Sequence, residues 1–200
     1  MDAPDTSTAP RRPAYDVERL LAVAVEVFDE RGYDGTSMGD LARALGLSKS
    51  SIYHHVAGKE ALLGMALDRA LDALFAVLDE PASQTGTARS RLEHVLRRSV
   101  EVLHAELPFV TLLLRVRGNT PTEVDALARR REFDQRVTDL VTRAVHAGEL
   151  RDDLEPGIVT RLLFGQVNSL VEWYRPDRGA GPTEVGDALV SLAMDGLRPR

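Results

Sequence analysis

The stretch LSKSSIYHHVAGKEALL, Leu47 to Leu63, has a short polar run, one Ile, a Tyr and two His before Gly58-Lys59-Glu60 restarts an apolar pattern. Ser48 can act as an N-cap, because its hydroxyl can accept from the free backbone N–H groups that open a helix. Ile52 and Val56 are four apart and share one face, which points inward. Lys49, Ser50, Tyr53 and His54 fall on or near the opposite side. The stretch therefore reads as a short helix whose exposed face offers hydroxyls, an ammonium, a phenol and an imidazole. A metal site is a poor alternative. Adjacent residues diverge by about 100° on a helix, so His54 and His55 do not converge. A zinc site wants three or four converging ligands, and His94, His104 and His146 are dispersed along a chain with no Cys. His55 reads as solvated or packed, and neither a metal nor another cofactor is expected.

Upstream, Leu20, Ala24, Val27 and Phe28 recur at helical spacing behind Asp16 as N-cap, and Gly32 ends that helix. Thr36 or Ser37 caps a second helix with Met38, Leu41, Ala42 and Leu45 inward. Gly46 stops it, and only Gly46-Leu47 separates it from the third helix. Three short helices joined by tight turns are the signature of a helix-turn-helix unit. The N–H groups opening the third helix suit a phosphate, and the side chains beyond suit base edges in a major groove. Lys59 opens the next helix, in reach of a second phosphate. The side chains alone would also allow a protein-binding face.

Downstream the pattern is helical almost throughout. Lys59 to Asp79 forms one helix, and Pro81 with a Ser, Gln, Thr and Gly linker breaks it. Arg89 to Ala105 forms the next, and Pro108 opens another that ends by Gly118. Thr120-Pro121-Thr122-Glu123 is a capping-box sequence. It launches a helix to His146, which Gly148 ends. Glu155-Pro156 starts a helix to Tyr174, and the last runs from Thr183 to about Leu197. No strand-length alternation, internal repeat or Gly-rich phosphate loop interrupts this. The expectation is an all-α chain of 200 residues. Residues 1–13, rich in Pro, Ser, Thr and Ala, form a disordered tail. Residues 14–58 form the helix-turn-helix DNA-binding domain, and residues 59–200 a helical body for ligand binding and dimerisation. No apolar run follows Met1 and none is long enough to span a bilayer, so a soluble, cytoplasmic protein without a membrane partner is expected.

The formal net charge of -6 argues on its face against nucleic acid, because phosphate contacts want cations. From Arg11 to Glu60, however, seven Lys and Arg stand against eight Asp and Glu. Most of the acidic excess therefore lies elsewhere, and the local distribution matters more than the total.

Phe28-Asp-Glu-Arg-Gly-Tyr-Asp-Gly-Thr-Ser-Met38, Leu41-Ala42, Gly46 to Val56 and Lys59-Glu60-Ala61-Leu62-Leu63 together resemble, in order and spacing, the DNA-binding domain of the TetR family of transcriptional repressors. Val56 stands where members usually carry an aromatic, and Leu41 where many carry Ile; both stay apolar. The resemblance implies an all-helical homodimer that binds a palindromic double-stranded operator through its N-terminal helices. A small effector in the C-terminal body then releases DNA. It places Thr36, Ser37, Ser48, Lys49, Ser50, Tyr53, His54 and Lys59 at the DNA, although Thr36 has an equally good role as a cap or in turn packing. It also implies a dimer bundle of the last two helices, with Gly165, Asn168, Leu189 and Ala193 as candidates.

Phe164 to Asp177, FGQVNSLVEWYRPD, more narrowly resembles the branch whose effectors are acyl-CoA thioesters, regulators of fatty acid, phenylacetate or steroid breakdown. A CoA end carries phosphates that want Arg, and its acyl tail wants a cavity. Leu78, Leu103, Phe109, Leu113 and Phe164 are the candidate walls. Arg117, Arg161 and Arg175 are candidates for the polar end, and Trp173 for packing on the nucleotide or pantetheine. An uncharged lipophile or a free acid would suit the same body. A helical enzyme is disfavoured, because no motif arranges a nucleophile with a base or pairs two carboxylates. An adaptor using the third helix on a protein would be separated by its failure to bind a duplex.

Overall fold

The computed structural model describes residues 17–175 and 179–199; Asp16, residues 1–13 and the Pro176-Asp177-Arg178 run lie outside that range. Among the described residues there are ten helices and no strand. They are α1 (Val17–Arg31), α2 (Met38–Leu45), α3 (Lys49–Tyr53), α4 (Lys59–Asp79), α5 (Pro81–Gln84), α6 (Ala88–Ala105), α7 (Leu107–Arg115), α8 (Pro121–His146), α9 (Pro156–Trp173) and α10 (Pro182–Gly196). The all-α expectation holds, and helix boundaries agree with the sequence reading to within a few residues. Two differences are local. Residues 81–84, expected as linker, form one short turn of helix, because Pro81 sits at its first position and the Ser83 hydroxyl folds back onto the Val77 carbonyl at 2.6 Å. The third helix closes at Tyr53, with His54 as its C-cap.

Caps set the first three helices. Ser37 and Asp40 make a reciprocal capping box, with Asp40 Oδ2 accepting from the Ser37 N–H at 2.9 Å. Gly46 takes φ +64, the left-handed turn that lets α2 stop and α3 start with only three residues between them. Ser48 Oγ then accepts from the Ser51 N–H at 3.1 Å. Ile52 of α3 is fully buried and meets the α1–α2 core of Leu20, Ala24, Leu41 and Leu45.

The body is built on α4, α6, α8 and α9, with fully buried Leu67, Leu71, Leu92, Leu96 and Leu103 at its centre. The α7 helix lies between this core and α1. The α10 helix packs along α6. Gly186 of α10 sits against Arg97 and Val100 of α6, where an added Cβ would make ordinary contact at 3.5 Å. Among the described residues no helix is long and apolar enough to cross a membrane.

Candidate nucleic-acid interface and effector cavity

The α3 surface has the face that the sequence spacing requires. Ile52 is buried beneath it, while Ser48, Lys49, Ser50, Tyr53 and His54 are exposed, Tyr53 by 53%. Ser37, also exposed, lies at the head of α2. The Lys49 side chain lies against Gly39 of α2, where a Cβ would be 2.9 Å from Lys49 Cε. The missing side chain therefore lets the ammonium lie across both helices. Two expected DNA contacts sit differently. Thr36 is buried, and its hydroxyl donates to the Gly32 carbonyl at 2.8 Å, so it locks the α1–α2 turn instead of reaching outward. Lys59 Nζ donates to the Tyr33 carbonyl at 2.7 Å and stands 4.0 Å over the Tyr33 ring. Its first role is to tie the head of α4 to that same turn.

Two arginines join this unit to the body, and a buried glutamate braces the turn beside one of them. Arg69 of α4 donates to Glu106 at 2.6 Å and to Glu18 of α1 at 2.7 Å, while its guanidinium lies 4.3 Å over the Phe109 ring. Arg115, at the end of α7, donates from Nη1 to the Asp29 carbonyl at 3.0 Å and to its carboxylate at 3.3 Å. Burial pushes the Asp29 carboxyl up to about 6, against the pull of Arg115. Glu123 is buried, and its Oε2 accepts from the backbone N–H groups of Arg117, Gly118 and Asn119 at 3.0, 2.8 and 2.9 Å. Burial alone would raise its pKa, but these three donors outweigh burial and hold it below the usual glutamate range. Thr120 caps the Glu123 N–H, but Glu123 bonds the three residues before the cap where a capping box would bond the Thr120 N–H, and so grips the turn between α7 and α8.

The body encloses a small cavity of about 30 Å³ between α4, α6, α7, α8 and α9. Of the candidate walls, Leu103, Leu113 and Phe164 line it, together with Leu74, Val110, Leu114, Phe133 and Val167. Its polar edge is Ser99, Arg130, Asp134 and Asn168. Burial raises the Asp134 pKa, and the nearby Arg130 and Arg161 guanidiniums oppose the rise. Sequence reading missed Asp134 because one carboxylate in a charged helix carries no periodic signal.

Other expected wall residues fall elsewhere. Phe109 is buried under Arg69, and Leu78 borders a separate cleft. Arg117 lies in a crevice of about 340 Å³ between α1 and the α7–α8 turn. Trp173 is 59% exposed, and Arg175 folds back so that its Nη1 donates to the Tyr174 carbonyl at 2.9 Å; neither lines the cavity.

The outer faces of α9 and α10 are apolar and exposed at Ile158, Leu162 and Leu192, with Gly165 and Gln166 between them. Leu162, Leu192 and Ala193 border a groove of about 190 Å³ between the two helices. Of the interface candidates, Gly165 is exposed on this face and Ala193 is at its groove. Asn168 points to the cavity, and Leu189 is buried within the subunit. The helical repeat separates them: on α9 positions 164, 167 and 168 face inward while 158, 162, 165 and 166 face outward.

Residues 20–65 match the bacterial regulatory proteins of the tetR family, and residues 85–197 match the tetracyclin repressor-like C-terminal domain. SCO3833, a TetR regulator from Streptomyces coelicolor A3, is 59% identical; the match covers 96% of this chain and 94% of that one, with a TM-score of 0.85. The transcriptional repressor KstR2 of Mycolicibacterium smegmatis is 26% identical over 98% of this chain and 95% of its own length. AibR, solved with isovaleryl coenzyme A and operator DNA, shares the fold at 22% identity and a TM-score of 0.76, covering 88% of this chain and 96% of that one. With both halves matched and the helix-turn-helix face in place, the chain belongs to the TetR family and is a TetR-type transcriptional repressor, not an enzyme.

Proposed function

We propose that this repressor binds a palindromic operator as a homodimer and leaves it when an acyl-CoA thioester enters the body. The observation that carries the DNA reading is the exposed Lys49, Ser50, Tyr53 and His54 face over buried Ile52. One α3 spans only five residues and reads few bases, so a two-fold pair matched to a palindrome supplies the rest. The apolar stripe of Ile158, Leu162 and Leu192 gives the pair its contact surface. A groove flanked by such residues is a natural seat for the partner's side chains.

The effector reading rests on the cavity. About 30 Å³ holds one water, whereas ligand sites are roughly 300–1,000 Å³, so a ligand enters only if the helices part. The α7 helix contributes Val110, Leu113 and Leu114 to the cavity and Arg115 to Asp29 of α1. Parting α7 from the core therefore moves a residue attached to the DNA-binding unit. A ligand that needs the opened body binds the DNA-released state better, which is the differential affinity that coupling requires. Apolar walls take an acyl chain or ring, and Arg130 and Arg161 beside Asp134 give a thioester carbonyl a cationic partner. AibR, alike in fold, was solved with isovaleryl coenzyme A and operator DNA in one complex, which supports the thioester class and not the release step.

The test is a titration of operator complex, read by fluorescence anisotropy, with an acyl-CoA, its free acid and free CoA. Its acyl group comes from mass spectrometry of ligand co-purified with the protein. Release by the thioester alone supports the reading. Equal release by the free acid removes CoA from it, and no release by any of the three removes the effector class altogether.

A further inference from the structure

A second cleft, of about 210 Å³, opens at the end of the same helical seam that holds the cavity. Moving one turn along each helix links the two: Leu74 of α4 lines the cavity and Leu78 the cleft, and Ser99 of α6 lines the cavity and Val95 the cleft. On α8 the step runs from Phe133 to Arg136 and Leu140. One helical turn is about 5.4 Å, so a single elongated molecule can span both.

The cleft gathers three guanidiniums, Arg91, Arg136 and Arg143, against one carboxylate, Asp139. Its charge therefore stands out in a protein with a formal net charge of -6. Several other arginines of the body are held by carboxylates: Arg69, Arg98, Arg129 and Arg151 each have one or two. Here Arg91 is fixed by donating Nε to the Ser83 carbonyl at 2.8 Å, which leaves its outer nitrogens for another acceptor. Arg136 bonds Glu132 on its own helix at 2.6 Å. Arg143 shows no ion pair among the described residues, and Asp139 already accepts from Gln135 at 2.9 Å.

We infer that this cleft binds the phosphate groups of the effector while the apolar part of the same molecule occupies the opened cavity. The inference rests on the effector reading above: Arg130 and Arg161 stay with the thioester carbonyl, and the phosphates go to Arg91, Arg136 and Arg143 in place of Arg175, which the sequence suggested. Planar guanidiniums bond phosphate oxygens in pairs, and the buried Leu78, Val95 and Leu140 form the apolar floor beneath them.

Calorimetric titrations of the full chain with free CoA and with inorganic diphosphate probe the cleft without needing the acyl group. Wild type is expected to bind CoA, and Arg91→Ala or Arg143→Ala to lose about tenfold in affinity, as expected for one charged hydrogen-bond partner. Arg198→Ala, at an exposed arginine that pairs with Asp195 away from both cavities, should bind CoA as wild type does, and operator affinity without effector should be unchanged in all three. Arg143 is exposed, so its variant guards against a folding defect in Arg91→Ala. Absence of CoA binding, or equal binding by wild type and both cleft variants, overturns the inference. Diphosphate binding that depends on these arginines while CoA fails to bind would make the cleft a free-anion site and also overturn it. If CoA binds the cleft but no acyl-CoA releases DNA, the effector reading falls and the cleft stands. If acyl-CoA releases DNA with equal potency in the cleft variants, the reverse holds.

Discussion

Replacing Glu123 is the sharpest test of how the turn between α7 and α8 is held. Its Oε2 accepts three backbone N–H groups at 2.8–3.0 Å from a side chain only 4% exposed. Glu123→Ala strands three donors in the turn that sets α7 against α1. Each buried unsatisfied group costs roughly 1–3 kcal/mol, but the neighbouring crevice, which Arg117 and Asn119 also line, admits water. The equivalent of one or two lost partners gives about 2–4 kcal/mol. At about 2–4 °C per kcal/mol for a chain of this size, Tm falls by roughly 5–15 °C. Glu123→Gln keeps a carbonyl acceptor and loses only the charge assistance, so its loss is about 1–2 kcal/mol.

The pH dependence has a definite sign. The folded pKa lies below the ordinary value, so the contribution is full above that value and disappears as pH falls through the folded pKa. The gap between wild type and Glu123→Gln should close in acid. Thermal unfolding by circular dichroism at several pH values measures both effects. A loss under about 0.5 kcal/mol for Glu123→Ala, far below the buried-group cost, or a gap that widens in acid, would refute the reasoning.

Asp29 should behave with the opposite sign. Its carboxyl is raised to about 6, so the native state holds the proton more tightly and wild-type stability falls as pH rises from about 4 to about 6. Asp29→Asn lacks that fall, and relative to wild type it should gain about 1 kcal/mol between pH 4 and 7.5, after discounting for solvent screening around a partly exposed pair; a flat difference in denaturant midpoint contradicts the assignment. Leu192→Glu, at a position 77% exposed, should give folded monomers in analytical ultracentrifugation, where wild type is expected to sediment as a dimer. A variant that stays dimeric places the contact elsewhere. Gly39→Ala should displace Lys49, whose Cε would lie 2.9 Å from the new Cβ, and so lower operator affinity severalfold without altering the melting curve.

The helix-turn-helix unit was legible in the sequence because its signals are local. Ser37, Gly46 and Ser48 are caps and stops that work through their own neighbours, and Ile52 declares its face by spacing alone. The outer stripe of α9 was harder. Gly165 and Asn168 both look suited to an interface, and only their positions around the helix send one outward and the other to the cavity. Long-range partners left no local signal. Nothing near Thr36 or Lys59 announces that the Gly32 and Tyr33 carbonyls will claim them, and nothing near Arg91 and Arg143 announces that α6 and α8 meet there. The Thr120-to-Glu123 sequence lies between these cases: the motif fixed the helix start, while the hold of Glu123 on three preceding N–H groups depends on how the α7–α8 turn folds back.

The central claim is that the exposed face of α3 meets DNA, and the salt dependence of operator binding tests it most directly. Fluorescence anisotropy with a duplex obtained by genomic sequence selection gives the slope of log affinity against log salt for wild type, Lys49→Ala and Tyr53→Ala. Lys49→Ala should weaken binding across sequences and reduce the slope by about one unit, as the loss of one phosphate contact requires. Tyr53→Ala should weaken binding with the fold and dimer intact. Unchanged affinity and slope in both variants would contradict the claim.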